Sequence, residues 1–161
     1  MNKNLSKDLL EPNIVVSAIA ELLFNDNDEE SEEFQKKYFE TEKLDYTLES
    51  LKYIDKFLEK VRSKKQSLND EQYSKIILRC GAYAGEVIRR LSQKDFSWIL
   101  FDDALKDNKN LKDFGKSVLT LYILKNKKTK MLTFPMAKVE KYLSNGKVDS
   151  LHFYAQTIIN A

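Results

Sequence analysis

The chain has 161 residues, enough to bury a substantial core as one domain, and its 42% hydrophobic and 32% charged content is that of an ordinary soluble protein. A net charge of +2 argues neither for nor against a polyanionic partner, and a single cysteine, Cys80, rules out an internal disulfide. The charge is nonetheless segregated: residues 1–50 hold 5 Lys/Arg against 13 Asp/Glu, and residues 51–161 hold 22 against 12, so an acidic front of net −8 precedes a basic body of net +10.

Residues 1–11 read as a loose start. The N-terminal stretch 1–24 holds an apolar patch, but Asp8, Glu11 and Glu21 interrupt it and it lacks the order of a signal peptide. No apolar run approaches the ~18 residues needed to span a bilayer, so a reducing, cytoplasmic setting without a membrane is expected. Residues 13–24 are predicted as a short helix with Ile14, Ile19, Leu22 and Leu23 inward and Pro12 in its first turn. The acidic run NDNDEESEE, residues 25–33, has the odd carboxylate spacing of a calcium loop. It lacks the glycine at the sixth position and has Lys37 where the bidentate glutamate belongs, so it is read as a solvated linker into a short helix at 32–39.

Residues 44–64 form the next predicted helix, opened by Asp45 or Thr47, with Leu48, Leu51, Ile54, Leu58 and Val61 spaced by threes and fours. The short connection KKQSLND should fold it back on the following helix as an antiparallel hairpin. That following helix, residues 69–91, organises the chain. With Cys80 at zero and 100° per residue, Tyr73, Ile76, Ile77, Ala84, Val87, Ile88 and Leu91 lie within roughly 80° of one line. Asn69 is a good N-cap, Gln72 completes a capping box, and Asp70 and Glu71 suit the positive end of the helix dipole. Gly81 and Gly85 stack on one flank at a cost of about 1 kcal/mol each relative to alanine, which implies close approach of another element. On the other flank Arg79, Tyr83, Glu86 and Arg90 make a polar column, with Glu86 and Arg90 spaced for an ion pair.

After Leu91 the period changes. Residues 96–101, 117–125 and 130–134 are predicted strands, the second so apolar that it must be covered on both faces or lie centrally, with Asn126 opening the turn into the third. Residues 102–115 read as a long polar loop, of a length that is uncommon unless it carries function or mobility. Pro135 starts a helix with Met136, Val139, Tyr142 and Leu143 inward that Asn145 and Gly146 stop, and Asp149 or Ser150 caps the last helix, with Leu151, Tyr154, Ala155 and Ile158 inward. The expected fold is therefore α+β: a single domain over residues 1–161, with an acidic helical front at 1–43 and a core at 44–161. In it a helical hairpin and N-terminal helices pack on a small, about three-stranded antiparallel sheet, with two short C-terminal helices.

No motif for catalysis, metal or nucleotide stands out. His152, the one histidine, has no serine in a strand-turn-helix elbow to serve, and Cys80 lies in an apolar face; four glycines leave no phosphate loop, so no cofactor or metal is expected. Lys125, Lys127, Lys128 and Lys130 crowd a hairpin tip without interleaved aromatics, which suits edge protection better than nucleic acid. Trp98 reads as core.

The segments SLKYID, GAYAGEVIRR, Trp98 and FPMAKVEKYLSNGKVDSLHFY together resemble a family of small uncharacterised bacterial proteins with a GAYxGEV-type helix and a P…K…NG..DSL..FY-type tail. The resemblance covers roughly residues 44–154. It implies a bacterial origin and a compact α+β fold, and it brings no catalytic residue. Two functions are expected from different classes. One is a non-enzymatic protein-interaction module, an immunity-type protein or regulatory inhibitor with a protein partner, acting as monomer or homodimer. The other is a small-ligand-binding protein or enzyme whose site is the Tyr83/Glu86/Arg90 column with Arg79 and Trp98 beside it, Arg90 holding an anion and Glu86 acting as acid or base.

Overall fold

A computed structural model describes residues 11–25, 38–93 and 95–161. The loose start at 1–10, the acidic run from residue 26 onward and the short helix expected at 32–39, apart from Tyr38 and Phe39, lie outside the described residues. Within them are six α-helices: α1 (Pro12–Asn25), α2 (Leu51–Ser63), α3 (Asp70–Leu91), α4 (Phe101–Asp107), α5 (Pro135–Asn145) and α6 (Leu151–Ile159). Three strands, β1 (Phe96–Leu100), β2 (Tyr122–Asn126) and β3 (Leu132–Thr133), form an antiparallel sheet in the order β1-β2-β3, so the fold is α+β.

Helix α3 begins as its sequence dictates. The Asn69 side chain accepts from the Gln72 amide (2.8 Å), and the Gln72 side chain accepts from the Asn69 amide (3.0 Å). The buried stripe widens in the middle, however: residues 80–88 are buried all round, while Leu91 is exposed. The two glycines account for this. A Cβ on Gly81 would stand 2.8 Å from the Cα of Met136, at the start of α5, and one on Gly85 would stand 2.1 Å from the Trp98 indole. Backbone on one turn and an aromatic ring on the next press on that flank of α3, and α1, α5, α6 and β1 all pack on the helix.

The C-terminal helices wedge the hairpin. Each of α5 and α6 packs on both α2 and α3, so the α2 seam of Leu51, Ile54, Phe57, Leu58 and Val61 reaches the common core largely through them. Helix α1 lies against α3 and β1; it buries Val16, Ala20 and Leu23, while Ile14 and Leu22, expected inward, are exposed. The starts and stops of α5 and α6 follow the sequence. Pro135 opens α5, Gly146 ends it at φ 79°, and Ser150 caps α6 by accepting from the Phe153 amide.

Three expectations are corrected. Helix α2 starts at Leu51 rather than near residue 45, because local side chains offer its backbone another arrangement. Asp45 Oδ1 accepts from the Thr47 amide and hydroxyl, and Thr47 takes the Ser50 amide and hydroxyl. Between them Tyr46 adopts φ 60°, a costly backbone for an aromatic residue, held by contacts with α3. The second strand starts only at Tyr122, because Thr120 closes a turn: its hydroxyl accepts from the Ser117 amide and donates to the Gly115 carbonyl. The polar loop at 102–115 is helical through much of its length, as α4 and a 3-10 turn at Lys109–Asp113. Phe101, Ala104 and Leu111 bury a second small core against Ile123, on the opposite side of β2 from Leu124. Strand β2 is thus the central strand with both faces covered.

Candidate functional site

The polar column of α3 closes on itself. Glu86 is fully buried: its Oε1 accepts from Trp98 Nε1 (2.8 Å) and Arg89 Nε (2.8 Å), and its Oε2 from Arg89 Nη2 (3.1 Å) and Arg90 Nε (3.4 Å). The expected Glu86–Arg90 pair exists, but the tighter, two-pronged partner is Arg89, which the i,i+4 spacing passes over. Tyr83, also fully buried, donates its hydroxyl to Ser50 Oγ (2.8 Å) and accepts the Tyr46 amide (2.9 Å). The Tyr46 ring stacks on Tyr83 at 4.7 Å, and the Arg90 guanidinium lies 3.5 Å from the Tyr46 ring centre. Tyr83, Glu86 and Arg90 on α3 and Trp98 on β1 are therefore linked through Tyr46 and Arg89, whereas Arg79 lies on α3 but takes part in none of the bonds just described. Two carboxylate oxygens holding four donors have little left for a substrate. The arrangement joins α3 to β1 and to the turn before α2, and Asn13 extends it to α1 by accepting the Trp98 amide (2.8 Å).

Cys80 is wholly buried, and burial pushes its thiol far above the ordinary range, which removes it as a nucleophile. His152 lies in a cleft of about 540 Å³ between α2 and α6, bordered by Lys52, Lys56, Lys60, Tyr142 and Lys147. Its Nε2 is 3.3 Å from Glu49 Oε1. On the floor, Asp55 Oδ1 accepts from the Leu151 amide (2.8 Å), and Oδ2 from the Ser150 hydroxyl (2.6 Å) and the His152 amide (3.4 Å). Asp55 is thus a cap delivered to α6 from a distant helix, which no local spacing announces. Burial raises its carboxyl above the usual aspartate range against the pull of these bonds. Among the described residues no group of three or more His, Cys, Asp or Glu is placed to hold a metal ion.

Nearby, Lys138 donates to Asp149 (2.6 Å), and this bond, followed by one from Asn145, holds the Asp149 carboxyl below the ordinary value of 3.8. The sign is that of a depressed carboxylate. Its stabilisation is complete above the unfolded value and is lost as pH falls through the folded one. Lys138→Met should therefore cost up to about 1 kcal/mol at neutral pH and almost nothing once the Asp149 carboxyl is protonated, so that the acid side of the stability curve becomes shallower because its neutral end comes down, as read by urea titrations across pH; an unchanged difference between neutral and acid stability would contradict the assignment.

A different kind of surface occurs where the 3-10 turn ends. Phe114 is 75% exposed and borders two grooves. One, of about 890 Å³, is formed with Leu111, Met131, Leu132 and Phe134, and carries Lys125 and Lys130. The other, of about 550 Å³, is formed with Leu119, Thr120, Phe134, Ala137 and Tyr154, and carries Lys138 and Lys141. Phe114 and Phe134 belong to both, so the two make one trough interrupted by an aromatic crest. Ten lysines (106, 109, 112, 116, 125, 127, 128, 130, 138 and 141) against three acids (Asp107, Asp113 and Glu140) between residues 105 and 141 make this the basic side of the chain. Phe114 is absent from the sequence-based candidates. Its signal is faint: Leu111 and Phe114 stand three apart among lysines, in the segment whose length already suggested function.

Comparison with protein-family models, with curated proteins and with solved structures returned no match. No helix among the described residues is long and apolar enough to cross a membrane.

Proposed function

We propose that the chain is a non-enzymatic protein-interaction module, an immunity-type protein or regulatory inhibitor of the bacterial cytoplasm, and that it holds its partner on the Phe114 face. The supporting observation is the exposed Phe114 side chain set between two apolar grooves. An aromatic flanked by unfilled apolar surface and rimmed by charge is the anatomy of an interface anchor, and it costs solubility unless something covers it in use. The bacterial setting follows the resemblance of the central helix and tail. A ligand acting on the Tyr83/Glu86/Arg90 column would have to displace bonds that Glu86 already makes, so that reading draws less support from the geometry.

The test is affinity capture from a bacterial lysate with wild type and Phe114→Asp side by side. Because Phe114 is exposed, the variant should melt with the wild type. The wild type should retain one protein at a stoichiometric ratio and the variant should lose it. A partner held equally by both, or none held by the wild type, counts against the proposal.

A further inference from the structure

Resting on the docking role just proposed for the Phe114 face, we infer that the occupant of the trough is an acidic segment of a partner protein. Such a segment would place apolar side chains on either side of Phe114 and carboxylates near Lys130 in one groove and Lys141 in the other. The trough supplies the apolar part of this recognition: Leu111, Met131 and Leu132 on one side, Leu119 and Ala137 on the other. Its lysines differ in what they have left to offer. Lys125 is paired with Asp107, and Lys138 with Asp149. Among the described residues neither Lys141 nor Lys130 has a carboxylate within ion-pair distance, although Asp149 and Asp107 lie near enough to feel their charge, and Lys130 gives one of its protons to the Lys127 carbonyl (2.8 Å). Each groove therefore holds one lysine in an ion pair and one that is in none among the described residues.

The remaining polar groups favour the same occupant. Glu140, the acid in the second groove, is turned to the Ser144 hydroxyl (3.0 Å), and Asp107 is engaged with Lys125. The surrounding lysine excess raises the local concentration of an anionic segment and repels a basic one, so charge sets which partner enters while Phe114 sets how long it stays. A nucleic acid would also answer to the lysines. It would leave the apolar grooves unused, since base stacking needs flat exposed rings and the trough offers one aromatic crest.

The probe is a phage library of random peptides selected on the immobilised protein, followed by titration of the enriched peptide, made synthetically, against variants. The enriched peptides should carry acidic residues flanking apolar ones. Phe114→Asp should weaken binding at least about tenfold. Lys130→Glu and Lys141→Glu should each weaken it about threefold, and replacing the matching peptide carboxylate with lysine should restore the loss. Circular dichroism melts of the three variants, all at exposed or rim positions, check that the fold is kept. If Phe114→Asp abolishes binding while the two lysine variants and added salt do nothing, the acidic partner class is wrong and the docking face stands. If enrichment fails, or if Phe114→Asp binds as wild type does, the trough is not a docking site and both readings fall. A single-stranded oligonucleotide competing for the trough would equally overturn the inference.

Discussion

Glu86→Ala should lower the melting temperature by on the order of 10 °C, a large loss for the removal of one polar group. Three costs combine. The Trp98 indole N–H, buried and given to Glu86 at 2.8 Å, loses its acceptor, which costs about 1–3 kcal/mol. The removed carboxylate leaves a gap in a core without slack. Arg89 and Arg90 lose their shared anion, a smaller loss because both side chains reach water, at 21% and 41% exposure. A total of about 3–5 kcal/mol is typical when one partner of a buried ion pair is deleted, and in a domain of this size each kcal/mol is worth about 2–4 °C. Glu86→Gln should fall in between, since its amide oxygen still accepts from Trp98. Thermal unfolding followed by circular dichroism measures both, and an alanine variant melting within about 2 °C of wild type would show that the network contributes little.

Gly85→Ala should also destabilise, by less and for the opposite reason. Adding one methyl places a carbon 2.1 Å from Trp98 Cζ2 and 2.2 Å from Cη2. The indole has little freedom to retreat, being tied at Nε1 to Glu86 and through its backbone amide to Asn13. Overpacking of this kind costs about 1–3 kcal/mol and sometimes more, while the better helix propensity of alanine returns about 1 kcal/mol. With a contact as short as 2.1 Å the steric cost lies at the upper end of that range, leaving a net loss of up to about 2 kcal/mol. Placing Gly85→Ala on a Trp98→Leu background isolates the clash. The second substitution should then cost at least about 1 kcal/mol less than on the wild type, measured by urea titration, and strict additivity would refute the contact.

What could be read from the sequence was what is decided locally. The Asn69/Gln72 box, the Pro135 start and the Ser150 cap are contests among residues within a turn of one another, and each ends where its chemistry directs. The late start of α2 was hidden because Tyr46 is held in its left-handed conformation by Tyr83, 37 residues away. The helices within 102–115 were hidden because the second core they bury needs Ile123, which is contributed by a strand. For the sites the division is similar. The column could be anticipated as polar, and its closure could not, because Trp98 arrives from β1 and Arg89 sits at a spacing of three. Phe114 stands in a segment that reads as loop, and only the grooves on either side of it give the residue meaning.

The pairing of Trp98 with Glu86 also fixes what an optical experiment on this protein can see. Trp98 is the only tryptophan in the chain, it is 2% exposed, and its indole proton lies on a carboxylate. Intrinsic tryptophan emission is consequently a one-residue signal from the junction of α3 and β1. A change in its wavelength during denaturation marks water reaching that junction, whereas ellipticity follows the helices as a whole. Agreement of the two curves would mean that the junction and the helices come apart together, and a gap between them would date the failure of the junction against the rest of the molecule.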